Sequence, residues 1–259
     1  MEGEFELTGR GVAVLDADPD LASGLEPDDQ QQARRRAVAA VIDLEPPAWR
    51  PEGLSAIAND GWLGLLMLEG LMIRRVTVGK RVACELFGPG DLIRPWDTDG
   101  EYDPLPISVQ WLVLRSARLA VLDTAFALRI ARWPAITSRL MARVAQRARY
   151  FALTQAVTHL PRVTSRLLIF FWLLAERWGR VGPDGIQVRL PLTHEVLAML
   201  VGAHRPTVTV ALQRLARAEL LLRERPDRWL LTRSAIDSLA EPESIEPGRS
   251  MDTRSAPGL

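Results

Sequence analysis

Residues 192–218 read LTHEVLAMLVGAHRPTVTVALQRLARA, and this stretch decides the fold. Thr193 is a residue type whose hydroxyl satisfies the open amides of a helix's first turn. Val196, Leu197 and Leu200 follow as a helical apolar stripe. Gly202 then supplies a tight turn, where a positive φ costs glycine little. A second helix follows, with Val208, Leu212 and Leu215 inward and Arg205, Thr207, Thr209, Gln213 and Arg214 outward. Two short helices joined this way form a helix-turn-helix. Such a second helix can enter a major groove and present its N-terminal residues to base edges.

The flanking sequence strengthens this reading. Downstream, Leu220-Leu221-Leu222 and Trp229-Leu230-Leu231 read as two strands joined by a Pro226-Asp227 turn, a β-wing. Arg223, Arg225 and Arg228 sit where they can meet phosphates. Upstream, Arg162–Trp178 is an apolar helix suited to the core of a small domain, Gly179–Gly185 reads as a turn, and Ile186–Leu190 as a short strand. A helix-turn-helix pattern alone is a weak signal. Helix, strand, helix-turn-helix and wing in this order are far more specific.

Charge follows the same division. The chain has 259 residues, with 32 basic and 32 acidic side chains. Yet residues 161–235 hold twelve arginines against six acids, a surplus of six, while residues 1–160 and 236–259 are each three units negative. Two readings of the cationic segment stand at this level: a polyanion-binding module and an ordinary solvated surface. The 47% hydrophobic content excludes a disordered chain. The longest apolar run, Leu167–Ala175, is nine residues, against the ~18–20 that a bilayer span needs. The N-terminus lacks the layout of a secretion signal, and Cys84, the single cysteine, can form no internal disulfide. A cytoplasmic protein with no membrane partner is expected.

Between Gly61 and Asp123, short apolar runs (Leu63–Leu68, Met72–Val78, Val82–Phe87, Ile107–Leu114, Arg118–Leu122) are broken by Gly70, Gly79 and Gly88-Pro89-Gly90-Asp91. They predict antiparallel strands in a small barrel or roll. Gln30–Val41 is a short amphipathic stretch that can form a helix. Asp123 can cap a helix that Trp133-Pro134 breaks, and residues 135–160 then run without glycine or proline. Leu140, Val144, Ala148 and Phe151 share one face of this segment at spacings of four, four and three. About 25 helical residues would span ~38 Å. A dimer seam and packing along its own domain are the two uses of such a helix.

From Trp133 onward the chain resembles the Crp/Fnr family of bacterial transcription regulators. The resemblance rests on the Trp-Pro step, on Val163-Thr164-Ser165-Arg166, and on Val201-Gly202-Ala203-His204-Arg205-Pro206-Thr207-Val208. Residues 61–122 resemble, more loosely, the family's cyclic-nucleotide-binding-type roll. The implied fold class is α+β. An antiparallel β-roll would occupy residues 1–133, a long dimerisation helix 134–160, a winged helix-turn-helix 161–235 and a disordered tail 236–259. The resemblance implies a homodimer on double-stranded, near-palindromic DNA, with RNA polymerase as a further partner and a small-molecule effector that is either unknown or absent. It places Arg205 at a base-reading position and Thr193 and Thr207 at phosphate-bonding ones. His194 joins the expected DNA-contact set. His204 stands where the family has serine, a better cap. Pro206 and Val210 depart from the family's polar residue and second arginine, so the usual operator is not expected.

The sensor departs further. The family's cyclic-nucleotide cassette needs Gly-Glu and then an arginine and a hydroxyl residue. Here Gly90-Asp91-Leu92-Ile93 is followed by Arg94-Pro95, Pro106-Ile107 stand at the Arg-Ser pair, and Phe151-Ala152 replace hydroxyl residues on the long helix. A buried phosphate without its partners is costly, so cyclic AMP is not expected and no cofactor is predicted. His159, a helix-surface histidine, is no convincing haem ligand. No P-loop, GxSxG or HExxH is present, so no catalytic residue and no enzyme is expected. The acidic run DTDGEYD, residues 97–103, lacks the later glutamate of a calcium loop. A ligand-sensing or protein-interaction module without DNA binding is the principal alternative.

Overall fold

The computed structural model describes residues 7–51, 54, 58, 61–98 and 107–240. The chain forms two compact units that meet in sequence between Gln155 and Ala156.

The N-terminal unit is built on an antiparallel sheet. Its strands are β1 (Leu7–Ala13), β2 (Val38–Leu44), β3 (Ala48–Trp49), β4 (Gly64–Val78), β5 (Arg81–Phe87), β6 (Leu92–Ile93) and β7 (Ile107–Leu122). The order is β1-β2-β7-β4-β5, with β3 on β7 and β6 on β4. Four of the apolar runs read as separate strands are fused in pairs. Leu63–Leu68 and Met72–Val78 become the 15-residue β4, and Ile107–Leu114 and Arg118–Leu122 become the 16-residue β7. Gly70 does not end its strand. It bulges it, with φ +101° and a slipped register, because a Cβ there would lie 2.4 Å from the Ala117 Cα. The N-terminal segment also differs from expectation. Of the stretch Gln30–Val41 only the part up to Arg36 is helical, in α2 (Pro27–Arg36), which follows the short α1 (Val14–Ala17) and a 3₁₀ turn at Pro19–Ala22, while Val38–Leu44 is a strand with a largely alternating burial pattern.

Asp123 caps α3 (Thr124–Ile130) as expected, its carboxylate accepting from the Phe126 amide at 2.7 Å. The indole of Trp133 then donates to Asp29 at 2.9 Å, fixing where α4 (Pro134–Thr158) begins. This anchor has a consequence for the proposed seam. Leu140 is fully buried among Val14, Leu15, Phe126, Ile130 and Ile136 of its own unit, so it belongs to that core rather than to an open helix face. Val144 and Phe151 remain 40% and 37% exposed, and Ala148 is exposed as well.

The C-terminal unit contains α5 (Val163–Trp178), β8 (Gly179–Gly182), β9 (Gly185–Val188), α6 (His194–Leu200), α7 (Arg205–Arg217), β10 (Leu221–Arg225), β11 (Arg228–Thr232) and α8 (Arg233–Ala240). Its antiparallel sheet runs β10-β11-β9-β8. Part of the stretch read as a turn, residues 179–182, is instead β8, which pairs Gly179 with Val188. Residues 236–240 are not tail: they complete α8, whose Ala235 is fully buried. The rest of the expected tail, 241–259, lies outside the described residues, as do Asp99, Glu101, Asp103 and Pro106. Among the described residues no helix is long and apolar enough to cross a membrane.

Candidate nucleic-acid interface

The helix-turn-helix forms as its sequence requires. Thr193 caps α6, its hydroxyl accepting from the Val196 amide at 3.2 Å. Gly202 turns the chain with φ +60°. Val196, Leu197, Leu200, Val208, Ala211, Leu212 and Leu215 are buried, as are Leu167, Phe170, Phe171 and Leu174 of α5. Trp229 of the wing stacks on Phe171 with centroids 4.8 Å apart. Burying one face of α7 this completely decides which residues face water.

Those residues are the ones expected. Arg205, Thr207, Gln213 and Arg214 are exposed on α7, as is His204 just before it. Val210 is 47% exposed on the same helix. His204 occupies the cap position without a side-chain hydrogen bond, in keeping with its poor capping chemistry. Pro206 fits in the first turn, where the helix needs no amide from it. Thr209 is half-buried; its hydroxyl donates to the Arg205 carbonyl at 3.1 Å and lies 2.9 Å from Nδ1 of His194. Burial first, then the charges of Arg223 and Arg205, lower the pKa of His194.

The wing carries Arg223 and Arg225 exposed, with Arg228 half-buried beside them. Arg223 is partly committed: it donates to the Pro226 carbonyl at 2.8 Å and packs over Trp229 at 5.0 Å. No hydrogen bond or ion pair holds the guanidiniums of Arg205, Arg214, Arg225 and Arg228 among the described residues. Arg205, Arg214 and Arg225 are exposed and Arg228 is half-buried, so the arginine surplus of this segment is at least partly solvated.

One supporting residue escaped the residue-level reading. Arg166 donates to the carbonyls of Leu160 at 2.6 Å, Val201 at 3.2 Å and Gly202 at 2.9 Å, so its fork holds the turn between α6 and α7. An arginine within the first turn of an otherwise apolar helix was the available signal.

In the N-terminal unit, the Gly88–Ile93 loop is tied down by α4. Arg143 pairs with both carboxylate oxygens of Asp18 and donates to the Gly90 carbonyl at 3.1 Å. Arg147 donates to the Leu92 carbonyl at 2.9 Å and to Glu85 at 2.9 Å. Asp91 is buried and accepts from the Gly88 amide at 2.8 Å. Arg94 donates to the Trp62 carbonyl at 2.9 Å.

The profile of the Crp-like helix-turn-helix domain matches residues 162–239. The regulatory protein CysR of Synechococcus elongatus is 30% identical over 159 residues, covering 60% of this chain and 68% of that one. Among solved structures, a CooA variant from Carboxydothermus hydrogenoformans aligns over 87% of this chain and 93% of its own, with TM-score 0.54 and 16% identity. FixK2 from Bradyrhizobium japonicum covers 78% of this chain and 96% of its own, with TM-score 0.54 and 15% identity. Those two likenesses establish the shared fold. With the matched helix-turn-helix and the CysR relationship beside them, they show that this chain belongs to the Crp/Fnr family of transcription regulators.

Proposed function

We propose that the chain acts as a homodimer that binds near-palindromic double-stranded DNA sequence-specifically and regulates transcription without catalysing a reaction. The observation that carries this reading is the outer face of α7 with the wing, where Arg205, Gln213, Arg214, Arg225 and Arg228 project without partners among the described residues. Arg205 reads a base, while Thr193, His194, His204, Thr207, Thr209 and the other arginines fix register on phosphates. Two copies joined along Val144, Ala148 and Phe151 of α4 would present recognition helices one DNA turn, ~34 Å, apart. RNA polymerase is the proposed partner at the promoter, in the cytoplasm.

Cyclic AMP is not the effector in this reading, which leaves the effector unknown or absent. In support of this reading, Arg94 is directed to Trp62, and α4 contributes Phe151 and Ala152 where hydroxyl side chains would be needed.

Fluorescence anisotropy with duplex fragments tests the DNA reading. If six to ten phosphates are contacted, affinity falls by ~10³–10⁵ between 50 and 200 mM salt. Binding that ignores salt would overturn it.

A further inference from the structure

The outward face of α7 is polar except along one short strip. Val208, Ala211, Leu212 and Leu215 are buried on one side of the helix. On the opposite side Pro206, Val210, Gln213 and Arg217 follow at spacings of four, three and four, and all four are exposed. Exposed Arg205, Thr207 and Arg214 flank this line. Val210 is therefore an apolar side chain at the crest of the helix, with Pro206 one turn before it and the amide of Gln213 one turn after. Among the described residues of the C-terminal unit, Val181 in β8 and Val210 are the large aliphatic side chains left exposed.

Nothing in the folding of α7 asks for valine at this position. A β-branched residue is a poorer helix former than the straight polar chains that usually cover a solvated helix face, and its methyls gain nothing from water. What valine does offer is stiffness. In a helix its χ1 holds one rotamer about nine times in ten, so its methyls are set before a partner arrives and little entropy is lost on contact.

The chemistry of the major groove limits what such a side chain can recognise. With neither donor nor acceptor it cannot pair with the polar edges of guanine, adenine or cytosine; the apolar feature of the groove is the C5 methyl of thymine. Against cytosine the same methyls would cover an amino group and strip its water without replacing the hydrogen bond. Preference for thymine thus has an attractive and a repulsive half. Arg205 and Val210 are five residues apart, about 7.5 Å along the axis, or roughly two base pairs at ~3.4 Å each.

We propose that Val210 is a specificity-determining residue that recognises a thymine methyl within about three base pairs of the base read by Arg205. The inference rests on α7 entering the major groove, as the proposed function has it. Val210 then reads by shape what lies beside the base that Arg205 reads by hydrogen bonds.

The test begins with selection of preferred duplexes from a random pool by the full chain. Fluorescence anisotropy then follows on the selected site, with each thymine in turn replaced by 2′-deoxyuridine, which removes only the methyl. At one thymine per half-site the replacement is expected to weaken binding about fourfold, the worth of one buried methyl. Val210→Ser should bind the thymine and uracil duplexes alike. Should that variant bind too weakly to compare, the uracil scan with the wild-type chain decides by itself. A selected site without a thymine in reach, a scan in which no thymine matters, or a methyl preference kept in full by Val210→Ser would each overturn the proposal. If salt-dependent binding persists alongside any of these results, only the role of Val210 is lost. If the chain binds no duplex at low salt, the DNA reading beneath it falls as well.

Discussion

The guanidinium of Arg166, in the first turn of α5, donates to the carbonyl of Gly202, in the turn of the helix-turn-helix, at 2.9 Å. The same group holds the carbonyls of Val201 and Leu160, so one side chain braces the elbow that aims α7. Arg166→Met is expected to cost about 1.5–3 kcal/mol, the range for hydrogen bonds to a charged group. Arg166→Lys should not recover it, since an ammonium lacks the planar fork. Thermal melting checks the stability, and DNA anisotropy checks the aim; an unchanged melting curve for Arg166→Met would show the brace to be idle.

Arg205 and the wing arginines are expected to fail differently. Arg205→Ala should lose about 1–3 kcal/mol on the preferred sequence and little on random DNA. Arg225→Ala should weaken both substrates alike and lower the salt slope by about one. Competition anisotropy with specific and random duplexes separates the two. Equal losses for Arg205→Ala would mean that it positions rather than reads.

The exposed stripe on α4 makes a prediction about assembly. A charge at Val144 or Phe151 would have to be desolvated in any helix–helix seam there. Val144→Asp and Phe151→Asp are therefore expected to give monomers in sedimentation velocity, with weakened DNA binding but a folded C-terminal unit. Leu140→Ala should behave otherwise. It opens a hole in the core of its own unit and lowers stability by about 2–5 kcal/mol whatever the oligomeric state.

Glu85 stands between two guanidiniums, its side chain 10% exposed and that of Arg147 19%. Removing its charge leaves Arg74 and Arg147 facing each other. Breaking so enclosed a pair costs about 3–5 kcal/mol, so Glu85→Gln should melt well below wild type, and adding Arg147→Met should return part of the loss. A double variant no better than the single would show that the two groups are not coupled.

His194 gives a pH dependence whose sign follows from its depressed pKa. The folded unit favours the neutral ring, so this contribution is complete above the unfolded value near ~6.5. It drains away as pH falls from there toward the folded value. The melting temperature of the protein should fall across that window, and less steeply in His194→Gln. A parallel decline in the variant would assign the effect to other groups.

How far the sequence carried the reading differs between the two units. The helix-turn-helix and wing were legible because each local signal agreed with the next: Thr193 as cap, Gly202 as turn, Val208-Leu212-Leu215 as buried stripe, Pro226-Asp227 as hairpin. In the roll, Gly70 was read as punctuation because a glycine in an apolar run looks the same whether it ends a strand or bulges one. Only the close approach of Ala117, 47 residues further on, distinguishes the two. Leu140 was misassigned for a related reason: helical periodicity says which residues share a face and not what covers it. Trp133, held by Asp29 from more than a hundred residues away, settles the cover, and that contact has no local signature. The Arg74–Glu85–Arg147 ion-pair cluster was invisible for the same cause, since its members meet only through sheet register and helix docking.

The helix Pro134–Thr158 is held through Leu140, Arg143 and Arg147 and is exposed along Val144, Ala148 and Phe151. If a second copy covers that stripe, as proposed, the protein's resistance to heat becomes a matter of abundance. Dilution should lower the melting temperature and crowding of copies should raise it. In that case the quantity of regulator present would determine both how much DNA is occupied and how long each molecule survives.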